Sequence, residues 1–143
     1  MISRRVPAVA LALVACLGCS NGHGTASVSG TVLYKDQPVD GATVIFHPKD
    51  GTGSTKPAQG KSDSSGNFTV SPYFEPGVQP AGALPGDYAI TVTKIDEPTG
   101  AFDPHKDPPP KNHLPPKYST PQLSPLKATI KPGSNRPELK LVD

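Results

Sequence analysis

The chain has 143 residues, of which 34% are hydrophobic, with 19 prolines, 14 glycines, two cysteines and no tryptophan. That length leaves room for one domain, and proline and glycine at this density exclude a largely helical protein, because they are the two poorest helix formers. The formal charge of +2 rests on Arg4 and Arg5; without them the chain is neutral and its lysines are scattered, so it lacks the clustered positive field that nucleic acid requires.

Met1 to Arg5 is short and basic, Val6 to Ala15 is an apolar run broken by Pro7, and small residues and cysteines follow. This is the layout of an export signal. A membrane-spanning helix needs about 20 apolar residues, and this run is over before Ser20-Asn21-Gly22. Leu13-Val14-Ala15-Cys16 resembles the bacterial lipobox. The resemblance implies cleavage before Cys16, diacylglycerol on its thiol and acylation of the new amino group. Cys19, preceded by Gly18, is the alternative lipidation site. Ordinary secretion, with a disulfide or free thiols, is the competing reading. A redox or zinc role for the C-x-x-C pair would need a following helix or a second ligand pair. Residues 1–15 are thus expected to be a lipoprotein-type signal peptide and residues 16–25 a flexible tether. Neither Leu17 nor Ser20 is the Asp that marks inner-membrane retention in well-studied bacteria, which favours an outer-membrane address facing the periplasm or the cell surface.

From residue 26 the hydrophobic period is two, the mark of half-buried strands. Val28, Gly30, Val32 and Tyr34 share one face, and Ser27, Ser29 and Thr31 the other. Val44 and Phe46 repeat the pattern, then Phe68 and Val70, then Tyr88, Ile90 and Val92. Leu126, Ala128 and Ile130 follow, and Leu139 with Leu141 close the series. Turn chemistry separates the runs: Lys35-Asp36-Gln37-Pro38, Asp63-Ser64-Ser65-Gly66, Pro85-Gly86-Asp87 and a hairpin-like Lys131 to Asn135. Short strands between such turns predict an all-β fold, a single antiparallel β-sandwich of about seven strands over residues 26–143. Two stretches break the pattern. Ser71 to Leu84 reads as a long loop. The segment 97–125 contains nine prolines, which excludes a helix or a central strand; it is expected to be an extended excursion packed against the outside of the sandwich.

Four motifs in order carry a family resemblance: Val28-Ser29-Gly30-Thr31-Val32, Pro38 to Phe46, Asp63 to Phe68, and Pro85 to Val92. They look like the carboxypeptidase-regulatory-like, transthyretin-like β-sandwich, and Pro116-Lys117-Tyr118, Ser124-Pro125-Leu126 and Asn135 to Leu141 are similar to the C-terminal part of small bacterial lipoproteins built on that domain. The resemblance implies fold and location, with Gly41 turning the chain before a crowded Ala42, Gly66 supplying a positive-φ turn, and the Tyr88 hydroxyl reaching a backbone partner as in a tyrosine corner. It implies no activity. One transthyretin-like hydrolase carries a C-terminal Tyr-Arg-Gly-Ser with His and Arg in its strands; this chain ends Lys140-Leu141-Val142-Asp143, and its only arginine after the signal is Arg136.

No nucleophile elbow, phosphate loop, dinucleotide fingerprint or metalloprotease helix motif occurs, so the expectation is a non-enzymatic protein with no catalytic residue, cofactor or metal. His23, His47, His105 and His113 do not show metal-ligand spacing; Asp36 with Asp40 and Asp103 with Asp107 are the nearest approach to a cation site. The loop aromatics Tyr73, Phe74, Phe102 and Tyr118 could stack on a sugar, contact a protein, or seal their loops onto the sheet. Two functional readings follow: a lipid-anchored structural or protein-interaction module of the cell envelope, or a carbohydrate- or divalent-cation-binding envelope lipoprotein.

Overall fold

The computed structural model describes residues 24–49, 56–72, 81–97 and 99–143. The protein is all-β, with two five-stranded sheets facing each other. Its strands are β1 (Ser27–Tyr34), β2 (Gln37–Pro38), β3 (Thr43–Pro48), β4 (Ala58–Lys61), β5 (Asn67–Thr69), β6 (Ser71–Pro72), β7 (Gly86–Thr93), β8 (Lys127–Ile130), β9 (Ser134–Asn135) and β10 (Glu138–Leu141). With the two-residue strands β2, β6 and β9 set aside, seven remain.

β1 is the middle of the first sheet. Antiparallel β5 and β2 flank one side of it, and parallel β9 and β10 the other. β9 and β10 keep a single register against β1, with Asn135 opposite Val28 and Glu138 opposite Thr31. They are one edge strand interrupted at Pro137, which has no N–H to give the ladder. The second sheet runs β6-β4-β3-β7-β8 and is antiparallel throughout.

The parallel pairs differ from the antiparallel expectation, and the cause is the Lys131 to Asn135 segment. It turns, but it is not a hairpin: β8 lies in the second sheet and β9 in the first. The Asn135 side chain closes the turn, accepting from the Lys131 N–H at 3.0 Å and donating to the Lys131 carbonyl at 2.8 Å. A strand that changes sheet joins its new neighbour in whichever direction it arrives, here parallel.

The inward alternation holds in the core. Val28, Val32, Val44, Phe46, Phe68, Val70, Tyr88, Ile90, Val92, Ile130, Leu139 and Leu141 are buried, and Tyr34, Leu126 and Ala128 pack against them partly exposed. β7 departs from strict alternation: Ala89 and Thr91, on its outer face, are buried too. β4 has no hydrophobic period of its own and forms by pairing with β3. It carries Gly60 where the chain crosses from β5 to β6, and a Cβ there would sit 2.2 Å from the Thr69 carbonyl oxygen.

The proline-rich excursion does not stay outside the core. Leu114 and Tyr118 are buried within the apolar cluster, and Pro116–Tyr118 forms one 3₁₀ turn, with proline in its first positions where no N–H is needed. The Tyr118 hydroxyl donates to the Val142 carbonyl at 3.0 Å and accepts from the Val142 N–H at 2.9 Å. Asn112 anchors the approach, its Oδ1 accepting from the N–H of Lys94 at 3.0 Å and of Leu114 at 3.2 Å.

β1 and β2 join through Lys35 and Asp36, both left-handed at φ 51° and 61°. Two positive-φ residues between paired strands make a type I′ hairpin, which prefers Asn-Gly. Glycine at the second position removes the side-chain penalty of this conformation. Asp36→Gly is expected to stabilise the fold by about 0.5–1 kcal/mol, a relief that exceeds the extra unfolded-state freedom of glycine. Thermal unfolding checks it: the variant should melt about 2–4 °C higher, and Asp36→Val should melt lower than the parent.

Candidate functional site

Two concave surfaces stand out. The first lies on the outer face of the first sheet and is built by the alternation of β1. With Val28 and Val32 turned inward, Ser29 and Thr31 must face out. The registers place Thr69 opposite Ser29 and Asn67 opposite Thr31 on one side. On the other, the common register of β9 and β10 puts Arg136 level with Ser29, and Glu138 opposite Thr31. Two polar rows result, Thr69–Ser29–Arg136 and Asn67–Thr31–Glu138, and together with Lys61 and Asp63 they line a groove of about 750 Å³.

The groove's charges are largely engaged. The Lys61 ammonium is bonded to the Glu97 carboxylate, which holds that carboxyl below its usual range. Lys140 lies 3.6 Å from Glu138. Asp63 Oδ1 accepts from the N–H groups of Ser65 at 2.9 Å and Asn67 at 3.0 Å, which fixes the turn that Gly66 completes at φ 77°. Thr31 Oγ1 donates to Asn67 Oδ1 at 3.2 Å.

The second surface is a cleft of about 470 Å³ at the start of the excursion, lined by Phe102, the prolines Pro108 to Pro110 and the carboxylates of Asp96, Glu97 and Asp107. Phe102 is 42% exposed. The cleft abuts the end of β7: the His113 N–H donates to the Lys94 carbonyl at 2.9 Å, and the His113 ring pairs with Asp96 at 2.7 Å.

The structure disposes of the sequence candidates unevenly. Cys16, Cys19, His23, Tyr73 and Phe74 lie outside the described residues. Tyr118 offers no face to a ligand: it is 1% exposed, and its hydroxyl is spent on Val142. Asp103 and Asp107 turn oxygens toward their own loop, Asp107 Oδ2 accepting from the Asp103 N–H at 2.8 Å and Asp103 Oδ1 from the His105 N–H at 2.9 Å. Among the described residues no three of His, Cys, Asp and Glu converge as metal ligands, and no helix is long and apolar enough to cross a membrane. Sequence reasoning missed Arg136 and Asn67 as neighbours; the alternation made both outward-facing, but only the parallel register places them on one platform.

The buried polar groups serve the backbone. Ser62 Oγ donates to the Val39 carbonyl at 2.6 Å and accepts from the Ala42 N–H at 2.9 Å. Ser124 Oγ donates to the Ile90 carbonyl at 2.5 Å, and the Tyr88 hydroxyl donates to the Leu84 carbonyl at 2.7 Å. Among the described residues no buried side-chain nitrogen or oxygen lacks a partner.

His47 Nε2 sits 3.0 Å from Thr91 Oγ1 on β7, and burial keeps its ring neutral to lower pH than an ordinary imidazole. The unfolded chain takes up that proton near the usual pKa of about 6.5 and the folded chain only below it. His47 therefore lowers stability as pH falls through 6.5, and its effect levels off below the folded-state pKa. Thermal melts of the parent and of His47→Gln between pH 5 and 7.5 check this: their difference in melting temperature should change in favour of the variant on acidification and stay flat if the ring does not titrate differently on folding.

No family model, no curated protein and no solved structure matches this chain.

Proposed function

We propose that the protein is an exported, lipid-anchored, non-enzymatic module of the cell envelope, held to a membrane through Cys16 and presenting its distal end to a protein partner. The observation that carries this reading is the placement of the two ends of β1. At the Ser27 end the chain enters from its N-terminal segment: Ala26 bridges to Ala83, and the Ser27 N–H donates to the Gly133 carbonyl. At the Tyr34 end lie Lys94, His113 and Leu114, where the excursion begins and first doubles back. An eight-residue strand separates them by roughly 20–25 Å. A tether at one end thus leaves the start of the excursion, with Phe102, at the other end of the sandwich from the anchor. Several acyl chains at about 0.8 kcal/mol per buried methylene would hold such a domain firmly, and polyproline segments are pre-ordered ligands for aromatic grooves.

A second reading, carbohydrate binding, is favoured by the outer face of the first sheet. Six polar side chains in two rows there suit a hydroxyl-rich ligand better than a folded protein surface.

Fractionation and mass spectrometry of the native N-terminus test the anchor. The protein is expected in the membrane fraction with acyl mass on residue 16, and Cys16→Ser should release it to the soluble fraction. Release by Cys19→Ser instead moves the anchor to Cys19, and an unmodified N-terminus beyond Cys19 overturns the reading.

A further inference from the structure

Arg136 is the one arginine among the described residues, and its side chain makes no hydrogen bond or ion pair there. Its charged groove neighbours all have partners: Lys61 is bonded to Glu97, Glu138 faces Lys140, and Asp63 Oδ1 accepts from two backbone N–H groups. Arg136 is therefore the cation of the groove without a partner among the described residues, at the end of a row whose other members, Ser29 and Thr69, have hydroxyls likewise without one. The second row ends in a carboxylate, and its Asn67 Nδ2 donors are likewise unpaired.

We propose that this face binds an acidic saccharide of the uronate type, an inference that rests on the carbohydrate reading above. A guanidinium matches a carboxylate in a two-pronged, charge-assisted contact. Hydroxyls that both donate and accept, an amide and a carboxylate together match the mixed donors and acceptors of sugar hydroxyls. Alternate residues along a strand are about 7 Å apart and neighbouring strands about 4.8 Å, so the six side chains cover a platform the size of one to two pyranose rings. The sugar's carboxylate lies on Arg136, and its ring hydroxyls lie on Asn67, Thr31 and Glu138. No exposed aromatic ring lines the groove, so selectivity comes from hydrogen bonds and from the unpaired guanidinium.

Titration calorimetry of the mature, detergent-solubilised protein tests the proposal with four probes: an oligogalacturonate, the same oligomer methyl-esterified, a neutral disaccharide and acetate. The acid oligomer should bind at least about tenfold more tightly than its ester, the worth of one charge-assisted contact. Arg136→Gln, at an exposed position, should erase that preference, and Asn67→Ala should weaken acid and ester alike. Equal binding of acid and ester, or a preference that survives Arg136→Gln, overturns the proposal and leaves the carbohydrate reading standing. Absence of binding by every saccharide overturns both, and acetate competing as well as the oligomer reduces the groove to a simple anion site and overturns it too.

Discussion

The sandwich depends on an absent side chain. At Gly30, in the middle of β1, a Cβ would lie 2.2 Å from the Pro137 carbonyl oxygen and 2.7 Å from Cζ of Phe68. Both approaches are structural necessities. The Pro137 carbonyl accepts from the Thr31 N–H at 3.2 Å and so keeps the edge strand in register across the break where proline cannot donate. The Phe68 ring covers the bare backbone of its cross-strand partner Gly30, a device that restores packing where glycine leaves none. From Phe68 the contact passes to Phe46 at 6.3 Å and on to Tyr88 at 5.8 Å and 70°, an edge-on pair. One strand position thus joins the edge of the first sheet to the centre of the second. The atom that an alanine would displace is a backbone oxygen, so the neighbour cannot give way as a flexible side chain would.

The proline-rich excursion is held by the same core. It leaves β7 at Thr93, is pinned by Asn112, puts Leu114 and Tyr118 inside, and returns through Ser124 to pair as β8 with the other half of β7. A long segment without regular structure is costly to order, and proline lowers that cost by restricting the unfolded chain. The buried hydroxyl of Tyr118 then ties the excursion to Val142, beyond the last strand of the opposite sheet. Excursion and sheets are therefore one packed body in this part of the chain.

Much of this architecture was legible in the sequence because a period of two is a direct image of a pleated strand. Val28, Val32, Phe46, Ile90 and Leu141 needed no knowledge of their partners to be placed inward. The Asp63 turn was equally legible, since its carboxylate and Gly66 act within four residues. What could not be read was whatever depends on a distant partner. β4, with Ala58 as its one buried apolar residue, becomes a strand only beside β3. The crossover at Lys131 looks local, like a hairpin turn; only the destination of the chain distinguishes the two. Tyr118 reads as a loop aromatic until Val142 is seen to supply its partner. The candidate groove has the same character: Ser29 and Thr31 were visibly outward, whereas Arg136, more than a hundred positions away, reaches their row only through the parallel pairing of β9 and β10.

The alternation that makes the core also makes the face above it, and neither can move alone. A shift of β1 by one residue would bury Ser29 and Thr31 and expose Val28 and Val32, exchanging every side chain between the two surfaces. The register of the groove is thus fixed by hydrophobic burial on the other side of the same strand, which sets the point at which each polar side chain leaves the sheet. The corollary concerns tolerance to change. Outward residues such as Asn67, Thr69 and Arg136 carry none of the core's packing, and their substitution leaves the fold in place. A change at Gly30, which sits among them in sequence space but under Phe68 in the fold, disturbs core and face together. Chemistry on this surface can therefore vary widely over one conserved geometry, provided the bare position beneath it stays bare.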